Sequence, residues 1–223
     1  MFKAAFAIAI LFGNATAGAA LLGRAPLTPG GTDYQAYYDD VLAITWLANP
    51  GAAAGSAYDD GPSTTDGRLS WAATQAWLDS LNAAGHLGAT NWRLPDMNVN
   101  GDSTVVDCGG PAICPDNEMG HHSQYNGVQF MAINGQGIFA DVGLAFYWTS
   151  TPASDPAQVR TFYFPMNEIW PLDKQTGAGA AWAVHSGDVA VVPAPAAVWL
   201  LGSALGSALG VARWKRAKAA VPG

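Results

Sequence analysis

Positive charge is scarce in this chain of 223 residues, which carries 10 Lys and Arg against 17 Asp and Glu. Residues 18–192 hold only five of those cations but all 17 carboxylates, a net charge of −12. A surface of this sign repels nucleic acid and suits divalent cations or neutral partners such as sugars. The composition therefore excludes a DNA- or RNA-binding protein.

Recognisable catalytic motifs are also missing. The chain shows no Ser-His-Asp order, no nucleophile elbow and no phosphate-binding loop. Glu118 and His121 have the i,i+3 spacing of a metal-ligating pair, but no third and fourth ligands accompany them, so capping or packing is the favoured role. We predict that the protein is not an enzyme, and a metal-dependent hydrolase using Glu118 and His121 is the least favoured alternative.

Cysteine is limited to Cys108 and Cys114, which flank a short loop rich in Gly and Pro. In an exported protein an even pair at this spacing predicts a disulfide. A two-thiol metal site is the alternative, although no second Cys pair supplies the remaining ligands.

The first 20 residues have the features of a secretory signal peptide. Lys3 precedes an apolar run, and an Ala-x-Ala cleavage site follows at residues 15–17. Residues 21–36 then form a leader with little secondary-structure signal. The pattern predicts an exported protein, in agreement with the cysteine pair.

Residues 193–218 have the features of a membrane anchor. From Ala194 onward, 18 apolar or small residues are enough for a marginal transmembrane helix. The four cations just beyond this segment are expected to stay in the cytoplasm. We therefore predict a precursor anchored in the inner membrane with its body outside.

The same segment resembles the PEP-CTERM family of C-terminal sorting signals, through the motifs of residues 192–196 and 199–204 and the basic end. The resemblance implies recognition by an exosortase-type membrane protease, removal of the tail and release to the cell surface or an extracellular matrix. The residues that carry the signal are Val192, Pro193, Pro195, Arg213, Lys215 and Arg216.

The remaining residues 37–192 are enough for one domain, and their pattern predicts an α+β fold. Alternating residues favour a strand over Tyr37–Leu47, and helical spacing favours a helix over Trp71–Ala84 with Ser70 as its N-cap and Gly85 after its end. A second short helix is predicted over Glu118–Tyr125. Later strands are predicted at Phe139–Val142, Phe146–Thr149, Val159–Phe164, Ala181–His185 and Val189–Val192. We expect one or two helices against a small antiparallel sheet, with long irregular loops.

The tetrapeptide Trp92-Arg93-Leu94-Pro95 lies at the centre of this domain. A proline disfavours helix in the residue before it, so the segment should be extended. Trp92 and Leu94 then point to one face as core residues, and Arg93 points to the other face, where it can pair with a carboxylate or a ligand.

Seven segments together resemble the Lcl C-terminal domain family, over about residues 37–188. The resemblance implies a C-type-lectin-like fold and a surface protein that binds polysaccharide. The segments are Tyr38–Leu47, Trp71, Leu81–Asn82, Asn91–Pro95, Glu118–His121, Tyr147–Thr151 and Ala181–Val184.

Residues 96–107 match the spacing of a calcium-binding EF-hand loop, with oxygen-bearing side chains at alternate positions and Gly101 at the sixth. Asp107 in the last position reaches less far than the usual Glu, and Pro95 prevents a regular entering helix. The alternative is a solvated turn that needs no metal. The predicted calcium ligands are Asp96, Asn98, Asn100, Asp102 and Asp107.

Trp170 lies in a loop-like stretch beside Asn167. Exposed aromatic rings flanked by amide and carboxylate oxygens suit the faces and hydroxyls of sugars. Packing of Trp170 over the core as a lid is the alternative. We predict a ligand site at Trp170, Asn167 and Arg93 in a non-catalytic module that binds polysaccharide or a surface glycan, and a self-associating structural protein is the alternative function.

Overall fold

A computed structural model describes residues 21–108, 113–128, 138–139, 142–143 and 145–189 of the protein. The predicted signal peptide, sorting signal and apolar C-terminal segment lie outside these residues, as do residues 190–192 of the last predicted strand and part of Phe139–Val142. Within the described ranges no helix has the length and apolar character needed to cross a membrane.

The described chain is α+β, as predicted. It contains two α-helices, α1 (Trp71–Ala83) and α2 (Glu118–Gln124), and a short 3-10 helix at His86–Gly88. The strands are β1 (Leu21–Pro26), β2 (Tyr34–Asp39), β3 (Ile44–Leu47), β4 (Arg68–Leu69), β5 (Trp92–Arg93), β6 (Tyr147–Pro152), β7 (Gln158–Tyr163), β8 (Glu168–Asp173), β9 (Gly179–Ala180) and β10 (Val184–Ser186).

The first sheet has the strand order β1-β2-β3-β10-β5, and every neighbouring pair is antiparallel. Residues 21–36, expected to be a leader, therefore carry all of β1 and the start of β2. The single strand expected over Tyr37–Leu47 is wrong, because the chain reverses between β2 and β3. Asp39 Oδ1 accepts hydrogen bonds from the backbone N–H groups of Val41 and Leu42, and this turn separates the two strands.

The second sheet has the order β4-β9-β6-β7-β8. Strands β6, β7 and β8 form an antiparallel meander, whereas β9 pairs in parallel with β6. The expected single small sheet is thus two sheets of five strands. The strand expected over Ala181–His185 is confirmed only at its end, since β10 begins at Val184 and residues 181–183 form the connection between β9 and β10.

Both predicted helices are confirmed, and their ends follow from local chemistry. The Ser70 side chain accepts a hydrogen bond from the Ala73 N–H at the start of α1, and Gly85 has a φ of +58° just after its end. Asn117 caps α2 in the same way by accepting from the Gly120 N–H. Unlike α1, α2 is buried along residues 118–123, so it runs through the core.

The tetrapeptide at residues 92–95 lies at the edge of the first sheet, where α1 replaces the missing neighbouring strand. Asn82 of α1 accepts from the Trp92 N–H at 2.6 Å and donates to the Trp92 carbonyl at 2.9 Å. Trp92 and Leu94 are both 2% exposed, as predicted for the core face. These contacts fix the direction in which the chain enters the loop that follows Pro95.

Three fully buried tryptophans, Trp46, Trp148 and Trp182, form the centre of the core. The Trp182 ring lies 5.3 Å from Trp46 in an edge-to-face arrangement, and its Nε1 donates to the Leu47 carbonyl at 2.7 Å. Trp148 Nε1 donates to the Leu69 carbonyl at 2.8 Å. Trp148 and Trp182 thus bury a large apolar area while keeping their N–H groups satisfied.

Candidate functional site

Residues 96–104, here called the oxygen loop, bring several oxygen atoms to one point. One amide atom of Asn98 lies 3.0 Å from Asn100 Oδ1, 3.3 Å from Asp102 Oδ1 and 3.1 Å from the Thr104 carbonyl. If that atom is nitrogen, Asn98 donates to all three oxygens and the loop satisfies itself. The other amide atom then is an oxygen that accepts from the Ser103 N–H at 3.1 Å, so this orientation satisfies both ends of the amide. In the opposite orientation four oxygens converge with no hydrogen between them and would need a cation at their centre, while the amide nitrogen faces the Ser103 N–H.

Successive turns in the backbone create this arrangement. The N–H groups of Asn98, Asp102 and Thr104 each donate to the side chain two residues earlier. Each turn directs an alternate side chain inward, and Gly101, at a φ of +72°, permits the sharp bend. The predicted role of Gly101 as the turning residue therefore agrees with the structure.

The converging oxygens are not the full set predicted as calcium ligands. Asn98, Asn100 and Asp102 are present, but Asp96 Oδ1 accepts from the Thr151 hydroxyl at 2.7 Å, and Asp107 is exposed. The Thr104 carbonyl takes a place that side-chain spacing cannot reveal. The described residues include no group of three His, Cys, Asp or Glu side chains suited to a metal, and the converging set has one carboxylate, Asp102, beside amide and carbonyl oxygens.

The segment Asp116-Asn117-Glu118, here called the α2 anchor, holds the oxygen loop in place. Asp116 Oδ1 accepts from the Asn100 N–H at 2.7 Å. Glu118 donates its N–H to the Asp96 carbonyl at 2.9 Å and accepts the Asp96 N–H on Oε2 at 2.7 Å. The start of α2 is therefore bonded to the loop through both backbone and side chain.

Arg93 completes this anchor. Its guanidinium donates two hydrogen bonds to Glu118, at 2.6 and 2.8 Å, and Nε donates to the Ser186 hydroxyl. Burial alone would lower the pKa of Arg93, but the bonds and charge of Glu118 outweigh it and leave the pKa raised. Arg93, predicted as a ligand residue, thus has a carboxylate partner, and Glu118 has the packing role that was favoured for it.

A cleft of about 580 Å³ lies between the oxygen loop and the β6–β7 hairpin, and we call it the loop cleft. Arg160 contributes a positive charge, with its Nε donating to the Pro152 carbonyl at 3.3 Å. Among the described residues no carboxylate lies within ion-pair distance of this guanidinium. The polar lining residues are Asp96, Asn98, Ser103, Thr151, Ser154 and Arg160.

Trp170 and Asn167 lie elsewhere. Trp170 is on β8, an edge strand, and not in a loop as expected, but its side chain is 51% exposed. Its Nε1 donates to Glu168 at 2.9 Å, and Asn167 occupies the turn before β8 with a φ of +53°. Neither residue lines the loop cleft or the separate cavity of about 220 Å³ that Arg93 lines beside α1, so neither of these two cavities brings the three predicted ligand residues together.

His121 and His122 of α2 are fully buried. His121 Nδ1 accepts from the Cys114 N–H at 3.1 Å, which leaves Nε2 protonated and 3.5 Å from Asp39 Oδ2. Burial lowers the pKa of His121 against the opposing effect of Asp39. His122 stacks on Trp46 at 3.8 Å, and burial, together with His121, holds the pKa of His122 well below its usual range. Both rings therefore have packing roles in this geometry.

The predicted disulfide is confirmed, since Cys108 and Cys114 are bonded with a Cα–Cα distance of 5.9 Å. The bond packs directly against α2, because a Cβ at Gly120 would lie 2.6 Å from Cys108 Sγ. Glycine is therefore required at this helical position, and the disulfide, α2 and the oxygen loop form one connected unit.

The oxygen loop, the loop cleft and the α2 anchor thus adjoin one another, and together they offer oxygen ligands, hydroxyls and one cation. Sequence reasoning found the loop but missed the cleft, because Thr151, Ser154 and Arg160 are about 50 residues further along the chain with no spacing signal. Comparisons of the chain with models of protein families, with curated proteins and with solved structures give no match.

Proposed function

We propose that this protein is a non-catalytic carbohydrate-binding module whose ligand site is the loop cleft. The supporting observation is the lining of the cleft, where hydroxyl, amide and carboxylate groups face one space together with the guanidinium of Arg160, which has no carboxylate partner among the described residues. Sugars are bound through such fixed donors and acceptors in a concave site. The resemblance to the Lcl C-terminal domain family, and with it a C-type-lectin-like version of the α+β fold, supports the same function.

The oxygen loop is proposed to hold a calcium ion beside this cleft, with Asn98, Asn100, Asp102 and the Thr104 carbonyl as ligands. Calcium prefers six to eight oxygen ligands, so water and sugar hydroxyls would complete its shell. Asp102 is the only carboxylate among the four converging groups. The affinity is therefore expected to be in the range of extracellular modules, about 10⁻⁴–10⁻³ M.

The sequence signals at the two ends supply the proposed location. The signal peptide directs export, and an exosortase-type protease acts on the tail that anchors the precursor in the inner membrane. The mature protein then holds polysaccharide or a surface glycan at the cell surface or in the extracellular matrix. The acidic body of the protein fits a neutral sugar polymer and a divalent cation better than a nucleic acid.

Calcium at 10 mM should raise the melting temperature of the protein by about 3–6 °C, which corresponds to about 1.4 kcal/mol for a dissociation constant of about 1 mM. Asp102→Ala should abolish the rise, whereas Asn98→Asp should enlarge it, because it adds a charged ligand. Differential scanning calorimetry measures the melting temperature of the wild type and the two variants with and without calcium, and magnesium is the control cation. If the Asn98 nitrogen fills the centre instead, Asn98→Asp lowers stability and calcium has no effect on any variant.

On a glycan array with 5 mM calcium, we expect binding that weakens about tenfold or more in Arg160→Ala, since a lost hydrogen bond to a charged group is worth about 1.5–3 kcal/mol. Ser154→Ala should weaken it less. Trp170→Ala is the matched control, because its exposed ring lies outside the loop cleft. Loss of binding in Trp170→Ala with retention in Arg160→Ala would contradict the cleft and place the site on β8.

A further inference from the structure

In the part of the chain that the structure describes, five buried polar atoms on or near α2 have no hydrogen-bond partner. They are Trp46 Nε1, His121 Nε2, His122 Nε2, Ser123 Oγ and Asn126 Oδ1. Buried donors and acceptors are nearly always bonded, and an unpaired one costs free energy. This α2 polar cluster is therefore a place where the folded state is easily weakened.

His122 has the surroundings least suited to a positive charge. Its ring stacks on Trp46 and meets the rings of Phe139 and Trp182 edge to face, each at 4.8 Å. The one polar contact of the ring is Asn126 Nδ2, 3.1 Å from His122 Nδ1. Because Nδ2 is itself a donor, it cannot accept a second ring proton.

The ionisable groups that face this ring are few. Asp39 is reached only through Asn126, whose Nδ2 donates to Asp39 Oδ2 at 2.8 Å. The other is His121, whose own Nε2 lies 3.5 Å from Asp39 Oδ2. A positive charge on His121 would lie near this carboxylate, although the added proton on Nδ1 would break the bond from the Cys114 N–H. A positive charge on His122 would have no carboxylate in contact among the described residues and would be repelled by a charged His121.

The same helix begins at the α2 anchor, which bonds the oxygen loop through Asp116 and Glu118. Movement of α2 would therefore displace the loop and one wall of the loop cleft. We propose that α2 is an acid-sensitive latch, in which a proton on His122 releases the helix and with it the oxygen loop. This inference rests on the proposed function only for its effect on ligand binding.

The direction of the pH effect follows from burial. The pKa of His122 is held well below its usual value of about 6.5, so the closed form keeps the ring neutral while the released form takes up a proton. Above pH 7 both forms are neutral and the latch is fully stable. Below about pH 6.5 the ratio of closed to released protein falls about tenfold per pH unit, until the pKa of the closed form is reached.

The test uses the full exported protein between pH 7.5 and 5.0, a range above the ordinary titration of carboxylates. Hydrogen-exchange protection of the α2 amides and calcium affinity are measured together. We expect protection to fall about tenfold per pH unit below 6.5, with a parallel loss of calcium affinity. His122→Phe keeps a ring on Trp46 but cannot ionise, so both quantities should stay constant. His86→Gln, a half-buried histidine outside α2, should behave as the wild type.

Constant protection in the wild type, or the same pH profile in His122→Phe, would overturn the latch. If His122→Phe does not fold, NMR titration of the wild-type His122 ring decides, because ring protonation and loss of α2 protection must share one midpoint. Absence of calcium binding at pH 7.5 would count against the proposed function alone, since the exchange measurement tests the latch without calcium. Calcium binding that persists unchanged to pH 5.0 would count against the latch alone.

Discussion

Glu118→Ala should lower the free energy of unfolding by about 3–5 kcal/mol, the range for breaking a buried ion pair by removing one partner. The side chain of Glu118 is 5% exposed and accepts two hydrogen bonds from Arg93 and one from the Asp96 N–H. Alanine would leave a backbone donor and a partly buried guanidinium without their acceptor; because the Arg93 side chain is 35% exposed and water screens its charge, the loss is expected at the lower end of this range. Urea denaturation followed by tryptophan fluorescence measures the change.

The matched control is Arg24→Ala, which removes a pair with similar bond lengths in a more exposed place. Arg24 bonds Asp188 twice at 2.7 Å, but the Asp188 side chain is 39% exposed, so a loss of about 1 kcal/mol or less is expected. The double variant Arg93→Met with Glu118→Leu should recover much of the stability, because it removes both charges. A Glu118→Ala protein within 1 kcal/mol of the wild type would show that the Arg93 pair does not hold the loop.

Trp182→Ala should cost about 3–5 kcal/mol, as large-to-small changes of buried aromatic residues do. Its ring is fully buried and contacts Trp46, Tyr147 and Phe164, so alanine would leave a cavity between the two sheets. The Leu47 carbonyl would also lose its indole donor. The change in urea midpoint, at an unchanged slope, gives the value.

Trp170→Ala is the control for this substitution, since the same chemical change at a half-exposed ring should cost about 0.5 kcal/mol or less. The loss of stability in Trp182→Phe should lie between those of Trp170→Ala and Trp182→Ala, because phenylalanine keeps a ring but loses the hydrogen bond to the Leu47 carbonyl. Equal losses at Trp170 and Trp182 would contradict the placement of the core between the sheets.

The elements that could be predicted from sequence are those fixed by neighbouring residues. Ser70 and Gly85 mark both ends of α1, and the periodic apolar residues between them need no distant partner. The extended form of Trp92 to Pro95 follows from proline sterics, and the disulfide follows from a short loop. These features appear in the structure almost as the residues alone indicate.

The elements that were missed depend on distant partners. Strands β4 and β9 have two residues each and exist only because they pair across more than 100 positions. Pro171 made β8 resemble a loop, but a proline is tolerated where a strand has a free edge. The pairing of Arg93 with Glu118 joins residues 25 positions apart, and charge counts alone could not select this carboxylate.

The candidate site also has parts that could be predicted from neighbouring residues and parts that depend on distant ones. Side-chain spacing located the oxygen loop and its turning glycine, because each turn involves residues two positions apart. The Thr104 carbonyl and the outward position of Asp107 depend on the path of the backbone, which composition does not record. Arg160 lies at the cleft because β7 pairs with β6, so no local sequence pattern could have indicated that Arg160 lines the site.

The bond between Arg24 and Asp188 brings the first strand of the body next to its last described turn. Because the two ends of the described chain lie close together, it could be inserted as a domain into a surface loop of another protein without distorting either fold. A circular permutant could also be made, in which a short glycine-rich linker joins the two ends and new termini are placed in the exposed residues 62–66.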